Sequence, residues 1–308
     1  MFDSTLKGVL RARMGRPSFL GQIEQNYPRL SKGHKKIADF ILREYDKAAF
    51  MTAAALGSAV GVSESTVVRF AAENGYKGYP DLQRYLQDMI RSRLTSIQRM
   101  HVSDARLSDD KILENAMGAD AEMIRRTMEV TSREAFRGAV EAIHNAEHIY
   151  IQGTRSSAAL ANFLALYLNI IHPGVVYVDA FSASQIYEQM LRINEKDVCI
   201  AISFLRYSKR TIAALRFARD RGACGIAVTD STRSPIAELA QLVLLAACDA
   251  VAFVDSLVAP LSLINALLAA CARSQGDHVY DTLHSLEEIW TQYEIYDSAE
   301  LRESEGLS

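Results

Sequence analysis

From residue 30 onward apolar side chains recur every three or four positions, and Leu30, Ile37, Phe40, Ile41 and Tyr45 fall on one side of a helix. Lys32, Lys35, Lys36 and Arg43 then lie mostly on its wet side. The pattern predicts a second helix over 52–60, a third over 64–74 and a fourth opening at Pro80. Proline suits that first helical position because its missing N–H is not needed there. Along the fourth helix Leu82, Tyr85, Leu86, Met89, Ile90, Leu94 and Ile97 trace one apolar stripe. Residues before this set read as an irregular start, and the helical module is expected to end near residue 98. The segment 99–111 has few large apolar residues and reads as a linker, followed by helical patterns over 112–130 and 133–146.

Further along, the rhythm changes. Short apolar, partly β-branched runs at 148–153, 175–180, 197–204, 224–230 and 242–249 alternate with helix-length segments. Strands separated by helices imply βαβ units and a parallel sheet covered on both faces.

Charge sharpens this division. The formal net charge is −3, yet residues 1–100 hold 16 Lys+Arg against 9 Asp+Glu and the remainder holds 18 against 28. A basic module joined to an acidic one suggests that only the first meets a polyanion. Cys199, Cys224, Cys248 and Cys271 form no C-x-x-C pair, so neither a zinc site nor a disulfide framework is indicated, and free thiols in a reducing compartment fit. The N-terminus lacks the apolar core of a signal peptide. The longest apolar stretch, 257–272, is broken by Pro260, Ser262 and Asn265 and is too short for a bilayer. A cytoplasmic protein without a membrane partner is expected.

The chemistry of the basic module concentrates in GVSESTVVRFAAENGYKG, residues 61–78. Gly61 suits a tight turn between two helices, Val62 plugs the gap, and Ser63 can cap the next helix. Val67, Phe70 and Ala71 share a buried face, leaving Ser65, Thr66 and Arg69 outward and Ser63 and Glu64 at the tip. Short hydroxyls let a helix approach DNA closely, and an arginine one turn further reaches guanine or phosphate. Asn74 and Gly75 form a left-handed cap, which leaves Tyr76, Lys77 and Tyr79 as a small wing over the DNA backbone. Lys35 and Lys36 complete the expected DNA-binding set. The plain alternative is a helical hairpin that only packs.

Residues 30–45 and 51–83 closely resemble the N-terminal domain of RpiR/MurR-type bacterial transcriptional regulators. Their recognition helix carries Val-Ser-x-x-Thr-Val-x-Arg-Phe and the following loop reads Gly-aromatic-Lys-Gly-aromatic, a pattern that residues 62–79 match almost throughout. Gly57 departs from it, since such motifs usually carry alanine there.

In the acidic module the first strand runs into Gly153, Thr154, Arg155, Ser156 and Ser157 at a helix start, where free N–H groups and the helix dipole attract an anion. The third strand ends likewise, with Ser203, Arg206, Tyr207, Ser208, Lys209 and Thr211, and the fourth contributes Thr229, Asp230 and Ser231. Singly each is more often just a polar strand-to-helix turn; two at the carboxyl edge of one parallel sheet define a ligand crevice. In this order they resemble a sugar-isomerase (SIS) domain, the effector domain of the same regulators, over about residues 22–290 in all.

The resemblance implies an all-α helix-turn-helix domain followed by an α/β domain with a five-stranded parallel sheet flanked by helices. The expected division is a DNA-binding domain at 1–98, a linker and connecting helix at 99–125, and an effector-binding and dimerisation domain at 126–308. The implied ligand is a phosphorylated sugar, but arginine replaces a family glycine at two places, Arg155 and Arg206, and Leu205 replaces a serine. Loops without those glycines are not expected to cradle a phosphate with the same backbone geometry. Two readings stay open: the guanidiniums bind an anion in bidentate fashion, or they turn outward to acidic groups at a dimer interface.

Other residues carry less. Glu188 reads as a solvated helix glutamate before it reads as an acid or base, and His278 and His284 near Glu287 and Glu288 form no compact metal motif. The stretch 256–272 suits burial or a subunit contact, and Trp290, Tyr293 and Tyr296 are expected to pack the last helix. The leading expectation is a regulator, dimeric or tetrameric, that reads inverted-repeat double-stranded operator DNA and senses a small anionic metabolite such as a sugar phosphate. It has no assigned catalytic residue, cofactor or metal. The alternatives are a sugar-phosphate isomerase-type enzyme with a helical appendage and a purely structural oligomerisation protein.

Overall fold

The structure, a computed structural model, describes residues 19–93, 111–179, 182–249 and 254–296. The chain divides into two compact units, Met1–Leu94 and Thr95–Ser308. The expected linker at 99–110 and the apolar positions Leu94 and Ile97 lie outside the described residues.

In the first unit α1 (Phe19–Asn26) and a 3-10 turn (Tyr27–Arg29) precede α2 (Lys32–Ala48), α3 (Ala53–Val60), α4 (Glu64–Glu73) and α5 (Tyr79–Arg93). Ser31, Thr52 and Ser63 cap α2, α3 and α4, each hydroxyl accepting a backbone N–H three residues on. α1 falls where an irregular start was expected. Phe19 and Ile23 bury themselves in the core, and the Phe19 ring stands edge-on to Tyr76 and Tyr85, at 5.2 and 5.6 Å between centroids. Such distant partners leave no local periodicity.

Two glycines set the turn between α3 and α4. Gly61 takes the left-handed conformation, φ 67° and ψ 49°. A Cβ on Gly57 would come within 2.9 Å of the Val62 carbonyl oxygen, whose residue donates its own N–H to Gly57 O at 2.9 Å. The departure from alanine at 57 is therefore what this close turn requires.

In the second unit α6 (Ile112–Val130) and α7 (Arg133–Asn145) lead into β1 (Ile149–Gly153), α8 (Ser156–Ile171) and β2 (Val175–Tyr177). Next come α9 (Ala183–Gln189), β3 (Val198–Ile202), α10 (Lys209–Asp220), β4 (Cys224–Thr229), β5 (Leu242–Leu245), α11 (Val258–Gln275) and α12 (Asp277–Gln292). The strands form one all-parallel sheet in the order β2-β1-β3-β4-β5. Alternation sorts its two faces. Ile149, Ile151, Val198, Ile200, Ile226 and Val228 pack with α7, α8 and α11, whereas Tyr150, Cys199, Ala201 and Ala227 pack with α9 and α10.

α6, whose first residues were expected in the connection, belongs to this packing. Thr127 Oγ1 accepts from Ala247 N at 2.9 Å and donates to Met123 O at 2.8 Å, and Ser256 donates to Asp120 at 2.6 Å. α11 buries Leu263, Ile264, Leu267 and Leu268 as an all-round apolar helix should. Tyr293 and Tyr296 stay exposed beyond α12, although Tyr296 meets Trp290 edge-on at 5.4 Å. All four cysteines are free, and burial pushes the Cys199 and Cys271 thiols up to about 12. Among the described residues no helix is long and apolar enough to cross a membrane.

Candidate functional site

On α4 the burial pattern divides as its spacing requires. Val67, Phe70 and Ala71 are buried, while Ser63, Glu64, Ser65 and Arg69 are exposed and Thr66 is half-buried. Ser63 Oγ lies 2.9 Å from Ser65 Oγ and 2.8 Å from Thr66 Oγ1, so the three hydroxyls form one cluster at the helix tip. The Arg69 guanidinium has no hydrogen bond or ion pair among the described residues. Lys36 is exposed beside the turn, its Nζ 3.5 Å from Gly61 O, and Lys35 stands 5.5 Å from the centre of the Tyr27 ring.

The expected wing is not one. Gly75, at φ 84°, turns the chain back so that Tyr76 N donates to Ala71 O and Gly75 N to Ala72 O, a Schellman closure. That closure folds Tyr76 into the core, 6% exposed, against Phe19 and Tyr85. Tyr79 is 2% exposed, and its hydroxyl donates to Ala48 O and Met51 O at 3.1 and 3.0 Å. Gln83 and Gln87 satisfy Met51 O and Ala49 O in the same manner, so this face of α5 caps the turn after α2. Burial raises the Tyr79 phenol to about 12, which keeps it a donor. Of that loop Lys77 alone among the three expected residues is exposed.

In the second unit β1 connects to β2 on one side while β3 pairs on its other side, which makes the β1/β3 boundary the switch point of the sheet. A cavity of about 350 Å³ opens there, lined by Thr154, Arg155, Ser156, Ser157, Ser203, Arg206 and Ser208. Of the remaining expected residues, Gly153, Tyr207 and Thr211 shape the walls. A Cβ on Gly153 would meet Ser157 O at 2.4 Å, so only glycine lets the first turn of α8 close onto β1. Thr211 is fully buried with its hydroxyl 3.3 Å from that of Thr154. Tyr207 donates its hydroxyl to Asp230 at 2.9 Å.

The two arginines occupy left-handed backbone, φ 58° at Arg155 and 71° at Arg206. Sequence reasoning expected the loops to lose the glycine geometry; instead the arginines adopt it. Bonds on either side explain how Arg206 is held, because Leu205 N and Tyr207 OH both donate to the half-buried Asp230 carboxyl. Burial raises the Asp230 carboxyl above its ordinary range, against the lowering effect of those donors. Both arginine side chains are exposed at the cavity, and neither guanidinium has a hydrogen bond or ion pair among the described residues. The two helix starts differ: Ser208 caps α10 by accepting from Arg210 N and Thr211 N, whereas Arg155 gives α8 no side-chain cap. The first N–H groups of α8 therefore stay open to a ligand.

Phe204 and Leu205 also line the cavity, and Cys248, Val254, Asp255 and Leu257 complete its wall. Of these the last four lay outside the loops expected to form it. Sequence reasoning missed them because they follow the fifth strand, although that position also puts them at the carboxyl edge of the sheet. Glu188 stands exposed on α9, and His284 pairs with Glu288 at 3.5 Å on an exposed face of α12.

Residues 18–93 match the helix-turn-helix domain of the rpiR family, and residues 142–270 match the SIS domain. An HTH-type transcriptional regulator of Haemophilus influenzae is 28% identical over 228 residues, 73% of this chain and 78% of that protein. The HTH-type transcriptional regulator HexR of Escherichia coli is 28% identical over 227 residues, 73% of this chain and 76% of its own length. Among solved structures, the sugar isomerase domain of an RpiR transcription factor from Sphaerobacter thermophilus is 32% identical with a TM-score of 0.54, covering 58% of this chain and 99% of that one. The Vibrio vulnificus NanR protein complexed with ManNAc-6P shares the fold at 24% identity and a TM-score of 0.56, covering 90% of this chain and 99% of that one.

Proposed function

Because the chain belongs to the RpiR family of transcriptional regulators, with a helix-turn-helix unit and a SIS domain, we propose that its cavity takes a small, hydroxylated anion of the sugar-phosphate class. The observation that carries this reading is convergence: two unpaired guanidiniums, the uncapped start of α8 and the Ser156, Ser157 and Ser203 side chains surround one cavity. Arg155 and Arg206 supply charge-assisted donors, and Asp255 supplies an acceptor for a ligand hydroxyl. Thr154 and Ser208 line the walls, while Gly153, Tyr207 and Thr211 hold their shape. The complex of NanR with a sugar phosphate makes that class the first to try.

At the other unit, the ridge of Ser63, Glu64, Ser65, Thr66 and Arg69 enters the major groove of double-stranded operator DNA, with Lys36 and Lys77 toward phosphates. Lys35, partly committed to the Tyr27 ring, adds charge to the same unit. Two copies related by a dimer axis, or four in a tetramer, read an inverted repeat with half-sites about 34 Å apart. The DNA-binding domain occupies 1–98, a linker and connecting helix 99–125 and the effector and dimerisation domain 126–308, with α6, which spans the second boundary, packed on the effector side. The protein binds and does not turn over its ligand, and it acts in the cytoplasm, where its DNA lies.

Isothermal titration of the full chain against sugar phosphates, sugar acids and inorganic phosphate tests the pocket. Glycine is the informative replacement at 155 and 206, because it keeps the left-handed backbone while removing the cation. Arg155→Gly with Arg206→Gly is expected to weaken the best anion about tenfold or more. Unchanged affinity would remove both guanidiniums from the site.

A further inference from the structure

Val68 is 40% exposed on α4, one turn after Glu64 and Ser65 and beside Arg69. The inner face of the helix is already filled by Val67, Phe70 and Ala71. A β-branched side chain at a 40% exposed helix position loses rotamer freedom and gains only partial burial, so folding gives little reason for valine there. Its neighbours Glu64, Ser65 and Arg69 are all exposed and polar. A helix in the major groove meets hydrogen-bond donors and acceptors and a single apolar group, the C5-methyl of thymine.

We propose that Val68 is a specificity-determining residue that packs its isopropyl group against a thymine methyl in each operator half-site. This rests on the reading above that α4 enters the major groove. DNA is the occupant because the ridge around Val68 offers hydroxyls and an unpaired guanidinium, in a chain whose first hundred residues hold 16 Lys+Arg against 9 Asp+Glu.

The test is an anisotropy titration of the full-length protein on an operator recovered by selection from random DNA. Each thymine of a half-site is replaced singly by uracil, which removes the methyl group and nothing else. Wild type is expected to lose about fourfold in affinity at one position, the value of one buried methyl. Val68→Ala, which alters an exposed side chain and leaves the core intact, is expected to bind the thymine and uracil forms of that position alike. A loss below about twofold at every thymine, or a loss of the same size in Val68→Ala, overturns the proposal. If α4 is the reading helix, Arg69→Ala still weakens binding in that event, and only the role of Val68 falls. If Arg69→Ala is also without effect, the placement of α4 falls with it.

Discussion

At Arg155 and Arg206 the backbone takes a left-handed shape that an L side chain resists, at a cost of order 1–3 kcal/mol each. Strain of this kind persists where surrounding structure over-determines it, and Asp230 does so for Arg206 by holding the residues on both sides. The glycine variants that weaken anion binding should therefore raise stability, by about 1 kcal/mol or more per site, in denaturant unfolding. Opposite signs for affinity and stability separate a binding role from a packing role, for which both would fall.

Tyr79 makes the contrary case, a residue read as a contact with DNA that belongs to the core. Tyr79→Phe deprives Ala48 O and Met51 O of a donor and is expected to cost about 1–2 kcal/mol of stability, seen as a lower urea midpoint. Operator affinity of the folded variant should match wild type; a specific loss of DNA binding would restore the wing. The sequence shows that aromatic residues follow a glycine cap, but wing and core look alike there. The partners that decide are Phe19 and Tyr85 for Tyr76, and the carbonyls after α2 for Tyr79, all distant or backbone groups.

At the scale of elements the five strands and the helices around them were legible, because buried parallel strands and amphipathic helices leave periodic patterns. So was the outward ridge of α4, since Val67, Phe70 and Ala71 fix which face turns inward. α1 was not, being eight residues long and anchored by contacts with α5 and the loop before it. The part of the cavity wall at Cys248, Val254, Asp255 and Leu257 was also hidden, because strand-edge neighbours depend on sheet order. Gly57 tests the turn between α3 and α4. In Gly57→Ala the added methyl meets Val62 O at 2.9 Å, an overpacking cost of about 1–3 kcal/mol against about 1 kcal/mol gained in helix propensity. A net loss of up to about 2 kcal/mol is expected in thermal or urea unfolding, and a more stable variant would show that the turn relaxes freely.

For the whole molecule the division of charge matches the division of domains: the basic third carries the helix-turn-helix and the acidic remainder carries the SIS domain with the cavity proposed to take an anion. A bound anion can change operator affinity only by as much as operator changes anion affinity, so the coupling is reciprocal. The central claim, that the Ser63–Arg69 ridge is the surface that meets DNA, is tested most directly by one salt-dependent anisotropy titration of selected operator with wild type, Arg69→Ala and Lys77→Ala. Arg69→Ala is predicted to lose about 1–3 kcal/mol of specific binding. Lys77→Ala is predicted to lower the slope of log affinity against log salt by about 1, with both variants folded. Operator binding and salt dependence unchanged in both would place the DNA-reading surface elsewhere.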